Sequence, residues 1–253
     1  MRPMTTPMTT PKSEPMKSQP PFDLEALPPP YAAILRAVAE APVERPFVVA
    51  QLGQSLDGRI ALPSGESRWI NNAGALDHVH RLRALVDAVV VGVGTALADD
   101  PQLNVRRVAG RNPARVLIDR RGRCAHSARL FSDDGAGRAL VTSGDVPAPE
   151  GVRRIVLGDH GNGFDPRDIV EALYRNGWRR ILVEGGAGIV SAFVDAGVVD
   201  RLHVLVAPVL LGCGKPGLTL KEPASLAAAR RPPTHVHVLD GGDVLFDCDM
   251  RSR

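Results

Sequence analysis

The stretch Ile181-Leu182-Val183-Glu184-Gly185-Gly186-Ala187-Gly188 decides the reading of this chain. A short apolar, β-branched run ends in a carboxylate, and the chain then turns through glycines into a helical pattern. A strand, glycine turn and helix N-terminus make an anion cradle. Glycines let backbone N–H groups approach a phosphate, and the helix end adds partial positive charge. The spacing is not the dinucleotide fingerprint G-x-G-x-x-G, and a glycine pair that merely closes a tight βα turn reads the same way. On both sides, from Pro46 onward, short apolar runs alternate with helical patterns, which predicts an α/β sheet. Strands are expected at 47–52, 88–93, 115–118, 138–141, 154–157, 180–183, 202–206, 235–239 and 244–248, with helices at 74–86, 166–176 and 189–196. In the first helix Leu76, Val79, Leu82 and Val86 form the expected buried stripe. Gly92-Val93-Gly94-Thr95 reads as a turn. The last two strands, joined across Asp240-Gly241-Gly242-Asp243, predict an antiparallel C-terminal hairpin on a mostly parallel sheet. Ligands of such sheets gather at the carboxyl ends of the strands.

Composition bounds the function. Apolar residues at 44% and charged residues at 23% of 253 are ordinary for a soluble globular chain with a sizeable core. A net charge of +3 and aromatics at 4% argue against a nucleic-acid partner. Cys124, Cys213 and Cys248 are widely spaced, which fits a reducing cytoplasm better than a disulfide scaffold. No apolar run reaches membrane-spanning length, so no membrane partner is expected. Residues 1–30 repeat Met4-Thr5-Thr6-Pro7 as Met8-Thr9-Thr10-Pro11 and are rich in proline, so a disordered tail is expected there. Residues 31–45 read as a short helix docked on the domain (Ile34, Leu35 and Val38 at helical spacing) and a linker, and 46–253 as the main domain.

A second informative region runs from Gln51 to Arg106. It holds Ser55-Leu56-Asp57-Gly58, Ser67-Arg68-Trp69-Ile70, Leu82-Arg83-Ala84 and Asp99-Asp100-Pro101-Gln102-Leu103-Asn104-Val105-Arg106. Arg83 and Arg106, with hydroxyl side chains near strand ends, point to an anionic, hydroxylated small molecule. Blander roles are expected for several neighbours. Asp57 shapes its own turn by Asx hydrogen bonds, and Asp100 before Pro101 initiates a turn. His78 and His80 lie two apart on a helix and face different ways. His235 and His237 share a strand face with no nearby Cys or acidic cluster to complete a site. No metal is expected.

These segments, in this order, resemble the reductase domain of the bifunctional riboflavin-biosynthesis deaminase/reductase, a family with a dihydrofolate-reductase-like fold. The resemblance covers roughly residues 46–250 and includes Pro208-Val209-Leu210-Leu211-Gly212. No His-x-Glu precedes a Pro-Cys-x-x-Cys, so the zinc-deaminase half is absent and a free-standing reductase is expected. The resemblance implies NADPH-dependent reduction of a phosphorylated pyrimidine, 5-amino-6-(5-phosphoribosylamino)uracil, and a homodimer. It implies substrate contacts at Ser67, Arg83, Leu103, Arg106 and Glu184. It implies cofactor contacts at Gly53, Trp69, Thr95, Asp99 and Arg120, and along Gly185, Gly186, Ala187, Gly188, Ile189, Val190 and Ser191. Arg83 and Arg106 are then expected to fork onto the 5′-phosphate, and Arg120 to meet the cofactor 2′-phosphate.

The chain departs from that pattern at Gln51, where the bifunctional enzymes usually carry a lysine that reaches the substrate. An amide hydrogen-bonds a hydroxyl or carbonyl but carries no charge and donates no proton at neutral pH. Glu184 and Asp99 are then the expected ionisable groups of the chemistry. Two other readings share the scaffold: a reductase of a pterin or dihydrofolate, and a non-catalytic nucleotide-binding regulator. Both phosphate-type arginines count against the first, and Glu184, Asp99 and Arg106 count against the second.

Overall fold

Valine-rich runs such as Val48-Val49 and Val89-Val90-Val91 are buried on both faces of a strand, the pattern of a sheet covered from two sides. A computed structural model describes residues 23–28, 30–68, 70–158, 161 and 163–251. In chain order these form α1 (Tyr31–Ala39), β1 (Phe47–Ser55), β2 (Arg59–Ala61), α2 (Ala73–Leu85), β3 (Ala88–Gly92), α3 (Val93–Asp99), β4 (Ala114–Ile118) and β5 (Arg138–Thr142). There follow β6 (Arg153–Val156), α4 (Pro166–Arg175), β7 (Arg180–Val183), α5 (Ala187–Asp195), β8 (Arg201–Ala207), β9 (Lys215–Pro216), β10 (Thr234–Val238) and β11 (Val244–Asp249). The main sheet has nine strands in the order β10-β11-β8-β1-β7-β3-β4-β5-β6. Its neighbours pair in parallel except at β11, which runs against both β8 and β10. The expected α/β sheet with its antiparallel C-terminal hairpin is therefore present.

One face packs against α1 and α2, the other against α4 and α5. Tyr31, Ile34, Leu35 and Val38 of α1 are buried in the first of these cores, so this helix is docked on the domain. Residues 1–22 and 29 of the expected tail lie outside the described residues.

Three expectations change. The buried face of α2 is Ala75, His78, Leu82 and Leu85, while Leu76 and Val79 are only half-buried. The apolar stripe is displaced because α2 turns polar residues toward the sheet. His78 Nε2 lies 3.1 Å from His203 Nδ1, and His203 Nε2 lies 3.0 Å from Asp247 Oδ1. Asp247 also accepts a 2.9 Å bond from Arg201 Nε. Burial, then His203, pushes His78 well below the ordinary histidine range. Burial raises the Asp247 carboxyl, but its bonds to His203 and Arg201 outweigh this and bring it to about 2.

The stretch read as a turn at 92–95 is instead the start of α3, with Val93 and Ala96 buried. Asp57 does more than shape its own turn. It accepts bonds from the Ser55 hydroxyl at 2.6 Å and from the backbone N–H groups of Leu211 and Gly212 at 3.1 and 2.6 Å, fastening a distant loop. These bonds, the Ser55 hydroxyl foremost, lower its carboxyl to about 2.

Candidate active site

Strand β7 is flanked by β1 and β3, both of which run on past its last residue, and the site is built around that end. Glu184 follows β7 directly and is buried. The register Ala50↔Val183 puts Gln51 of β1 beside it, and Gln51 is in turn paired with His203 of β8. Gln51 is only 8% exposed, and its side-chain amide makes no hydrogen bond within the described residues. The amide is not among the buried polar groups left without a partner, so it still reaches solvent and is open to a ligand.

From the helix above, Arg83 donates to both oxygens of Glu184, Nε to Oε1 at 2.7 Å and Nη2 to Oε2 at 2.6 Å. Its Nη1 donates to the carbonyl of Asn104 at 3.1 Å. Both side chains are nearly excluded from water, so this is a buried bidentate ion pair. The fork expected to meet a phosphate is therefore partly engaged by Glu184, which also neutralises the Arg83 charge. Further N–H donors remain on the guanidinium edge, and Glu184 keeps lone pairs for substrate hydroxyls.

The turn after β7 is tight. Gly185 has φ +120°, and a Cβ there would lie 2.7 Å from Thr95 Oγ1. The backbone N–H of Gly186 donates to the same hydroxyl at 2.9 Å. A Cβ on Gly186 would meet only that oxygen, at 3.6 Å, and one on Gly188 would meet nothing. So Gly185 is required by its fold, while Gly186 and Gly188 leave room for a ligand at the N-terminus of α5. Ile189 is half-buried, and Val190 and Ser191 are buried within that helix. Ser191 Oγ accepts from the backbone N–H of Thr219.

The loop from Asp100 to Arg106 follows α3 and is linked to this turn through Arg83, which bonds both Asn104 and Glu184. Asp100 and Leu103 hold φ of +38° and +54°, the non-glycine positive φ values among the described residues. Backbone strain of this kind persists only where surrounding contacts impose it, and it clusters at ligand sites. Leu103 is buried and Asp99 exposed. Arg106 is exposed, and its Nη1 donates to Asn104 Oδ1 at 2.8 Å. Its backbone N–H donates to His80 Nδ1 at 3.2 Å. Burial, then Arg83, Arg129 and Arg107, lowers the Arg106 pKa below the usual guanidinium value. Of these neighbouring arginines, Arg83 is paired with Glu184 and Arg107 with Asp77.

The remaining predicted residues are scattered more widely. Arg120 follows β4 and donates to the carbonyl of Gly161 at 3.1 Å, while Ser143 Oγ donates to its own carbonyl. Ser67 is half-buried in the β2–α2 connection, and Trp69 lies outside the described residues. A Cβ on Gly53 would lie 2.1 Å from Asn71 Oδ1, so side-chain space there is filled by Asn71. Asn71 is in turn fixed to Asp243 by a 3.0 Å bond. A surface cavity bounded by Asp87, Arg111, Asn112, Asp134 and Trp178 opens at the opposite end of the strands. Its two carboxylates are engaged by Arg111, Arg180, Asn112 and Arg115, which makes it a poor rival to the site above.

Sequence reasoning missed His80, Asn104, Asn112 and Asn71. Only His80 carried a visible signal, since it lies three residues from Arg83 and shares its helix face.

The chain is similar to several known proteins. The 2,5-diamino-6-ribosylamino-4(3H)-pyrimidinone 5′-phosphate reductase of Archaeoglobus fulgidus is 34% identical over 185 residues, 66% of this chain and 83% of that protein. The riboflavin biosynthesis protein RibD of Escherichia coli is 35% identical over 187 residues. That match takes in 68% of this chain and 51% of RibD, so the chain spans about half the length of this relative. The crystal structure of the diaminohydroxyphosphoribosylaminopyrimidine deaminase/5-amino-6-(5-phosphoribosylamino)uracil reductase of Thermotoga maritima superposes with a TM-score of 0.70 at 28% identity. It covers 86% of this chain and 59% of that one. The model of the RibD C-terminal domain matches residues 46–236, which with these relatives shows that the chain belongs to the RibD C-terminal domain family.

Proposed function

We propose that this protein is a riboflavin-biosynthesis reductase that uses NADPH to reduce the ribosyl chain of 5-amino-6-(5-phosphoribosylamino)uracil to ribityl. The observation that carries the reading is the convergence of Gln51, Arg83, Glu184 and the Arg106 loop beside an open glycine turn. NADPH, when bound, supplies the hydride. The N–H groups at the start of α5 and the open sides of Gly186 and Gly188 fit its pyrophosphate, and Arg120 its 2′-phosphate. The substrate carbon that accepts the hydride is C1′ of the opened ribose, reached as an imine. Glu184, held on both oxygens by Arg83, accepts bonds from the ribose hydroxyls, and the Gln51 amide pairs with a hydroxyl or carbonyl. Arg106 and the free edge of Arg83 hold the 5′-phosphate. Asp99, exposed at the end of α3, is the carboxyl placed to exchange a proton with solvent. Fixing the reacting carbon against the cofactor, not covalent chemistry, is the work of these residues.

Outside the site, Val236, Val238 and Phe246 leave an exposed apolar face on β10 and β11, beyond the cover of α4 and α5. A second copy of the chain fits there, giving a homodimer, which sedimentation at micromolar concentration tests. The cytoplasm is the compartment that suits the free thiols.

The deciding experiment is NADPH oxidation by the purified protein with the uracil substrate, its 2,5-diaminopyrimidinone counterpart and a dihydropterin. Turnover of a phosphoribosylamino-pyrimidine, with NADPH preferred over NADH and the preference narrowed in Arg120→Ala, is expected. Reduction of the dihydropterin alone overturns the reading.

A further inference from the structure

Three of the four backbone polar groups from the Asn104 carbonyl to the Arg106 N–H are held, each by a different side chain. The carbonyl of Asn104 accepts from Arg83 Nη1 at 3.1 Å. The N–H of Val105 donates to Asn112 Oδ1 at 2.7 Å, and the N–H of Arg106 donates to His80 Nδ1 at 3.2 Å. None of these tethers belongs to a helix or a sheet ladder. They act immediately after Leu103, whose φ of +54° needs such over-determination to persist. A free loop would lose its gain from binding to the cost of ordering the chain.

We infer that His80 and Asn112 are positioning residues that hold the 104–106 backbone so that Arg106 is presented, already ordered, to the substrate phosphate. The inference rests on the reading of Arg106 as the anion ligand given above. His80 suits the task because it is only 3% exposed and lies on the helix that also supplies Arg83, so one rigid element aims both arginines. The bond fixes its tautomer, with Nδ1 the bare acceptor and Nε2 carrying the proton. A protonated ring has no acceptor left for the Arg106 N–H. Burial, then the charges of Arg83, Arg106 and Arg107, keeps the ring neutral by lowering its pKa to about 3.

The test compares His80→Ala, His80→Asn and Asn112→Ala on the phosphorylated pyrimidine and on its dephosphorylated analogue, with Arg106→Ala as the reference. His80→Ala and Asn112→Ala should each raise KM for the phosphorylated substrate by roughly three- to tenfold, the scale of one lost hydrogen bond, with kcat little changed. KM for the analogue should stay within about twofold. Asparagine at position 80 offers an amide oxygen in place of Nδ1 and should recover most of the loss, which a purely structural role for the ring would not allow. Equal effects on both substrates, no rise in KM, or no recovery in His80→Asn overturns the inference. If Arg106→Ala itself leaves KM for the phosphorylated substrate unchanged, the phosphate site has been misplaced, and that failure is read separately from the His80 result.

Discussion

Two segments meet at Arg83, and they reach their irregular backbones by opposite means. The turn at 184–188 relies on glycine, with Gly185 at φ +120° and Thr95 filling the place of its missing side chain. The loop at 100–106 has no glycine. Asp100 and Leu103 take positive φ, and side chains from α2 and from Asn112 hold the backbone in place. The first conformation is cheap locally and leaves space for a ligand. The second is costly locally and is imposed by tertiary contacts, which suits a segment that presents a charged side chain. Arg83 joins the two, because its guanidinium bonds Glu184 on one segment and Asn104 on the other.

The largest expected effect comes from breaking that joint. Glu184→Ala leaves Arg83 buried without its carboxylate, which should cost about 3–5 kcal/mol in urea unfolding. A loss below about 1 kcal/mol would mean that water relieves the guanidinium and the two segments are not coupled. Next, Gly185→Ala forces a side chain into positive φ against Thr95 and should cost about 1–3 kcal/mol. A Gly185→Ala protein as stable as its parent would show that Thr95 moves aside freely.

The other segment responds to pH. The folded His80 ring stays neutral down to about 3, whereas an unfolded ring takes up a proton near its ordinary 6.5. The unfolded chain therefore binds more protons below pH 6.5, so stability should be flat above that pH and fall as acid is added toward 3. His78 acts in the same direction. Between about pH 6.5 and 5, where carboxylates scarcely titrate, His80→Asn should reduce the slope by up to about 1.4 kcal/mol per pH unit. An unchanged slope would mean that the ring is not neutral in the fold. The smallest change in stability is expected for Gly186→Ala, within about 0.5 kcal/mol, since its φ is −66° and its Cβ has room. The same variant should weaken NADPH binding in a fluorescence titration. Normal binding would place the cofactor elsewhere.

Much of this was written locally. The alternation of apolar runs and helical patterns placed each strand of the main sheet within a few residues, for the central strands because burial on both faces needs an unbroken apolar run, whereas the edge strands β6 and β10 are largely exposed. The glycine turn was visible for the same kind of reason, since only glycine tolerates its backbone at no steric cost. Helix α3 was not, because it spans only Val93–Asp99, opens with a glycine at its second position, and is held by the burial of Val93 and Ala96. The two-strand ribbon of β2 and β9 is likewise too short to carry a period.

Family motifs named Arg83, Arg106 and Glu184, but their sequence could not say which of them touch. Arg83 and Glu184 lie 101 positions apart and meet only because α2 packs on the face of the sheet beside β7. Nor does anything in Leu103 or Asn112 announce a left-handed backbone or a tether. A residue type reports what its own side chain and φ allow, so glycine turns, apolar periods and charge are readable one residue at a time. Ion pairs, tautomers and imposed strain are properties of pairs brought together by packing, and they exist only once the sheet and its helices have closed.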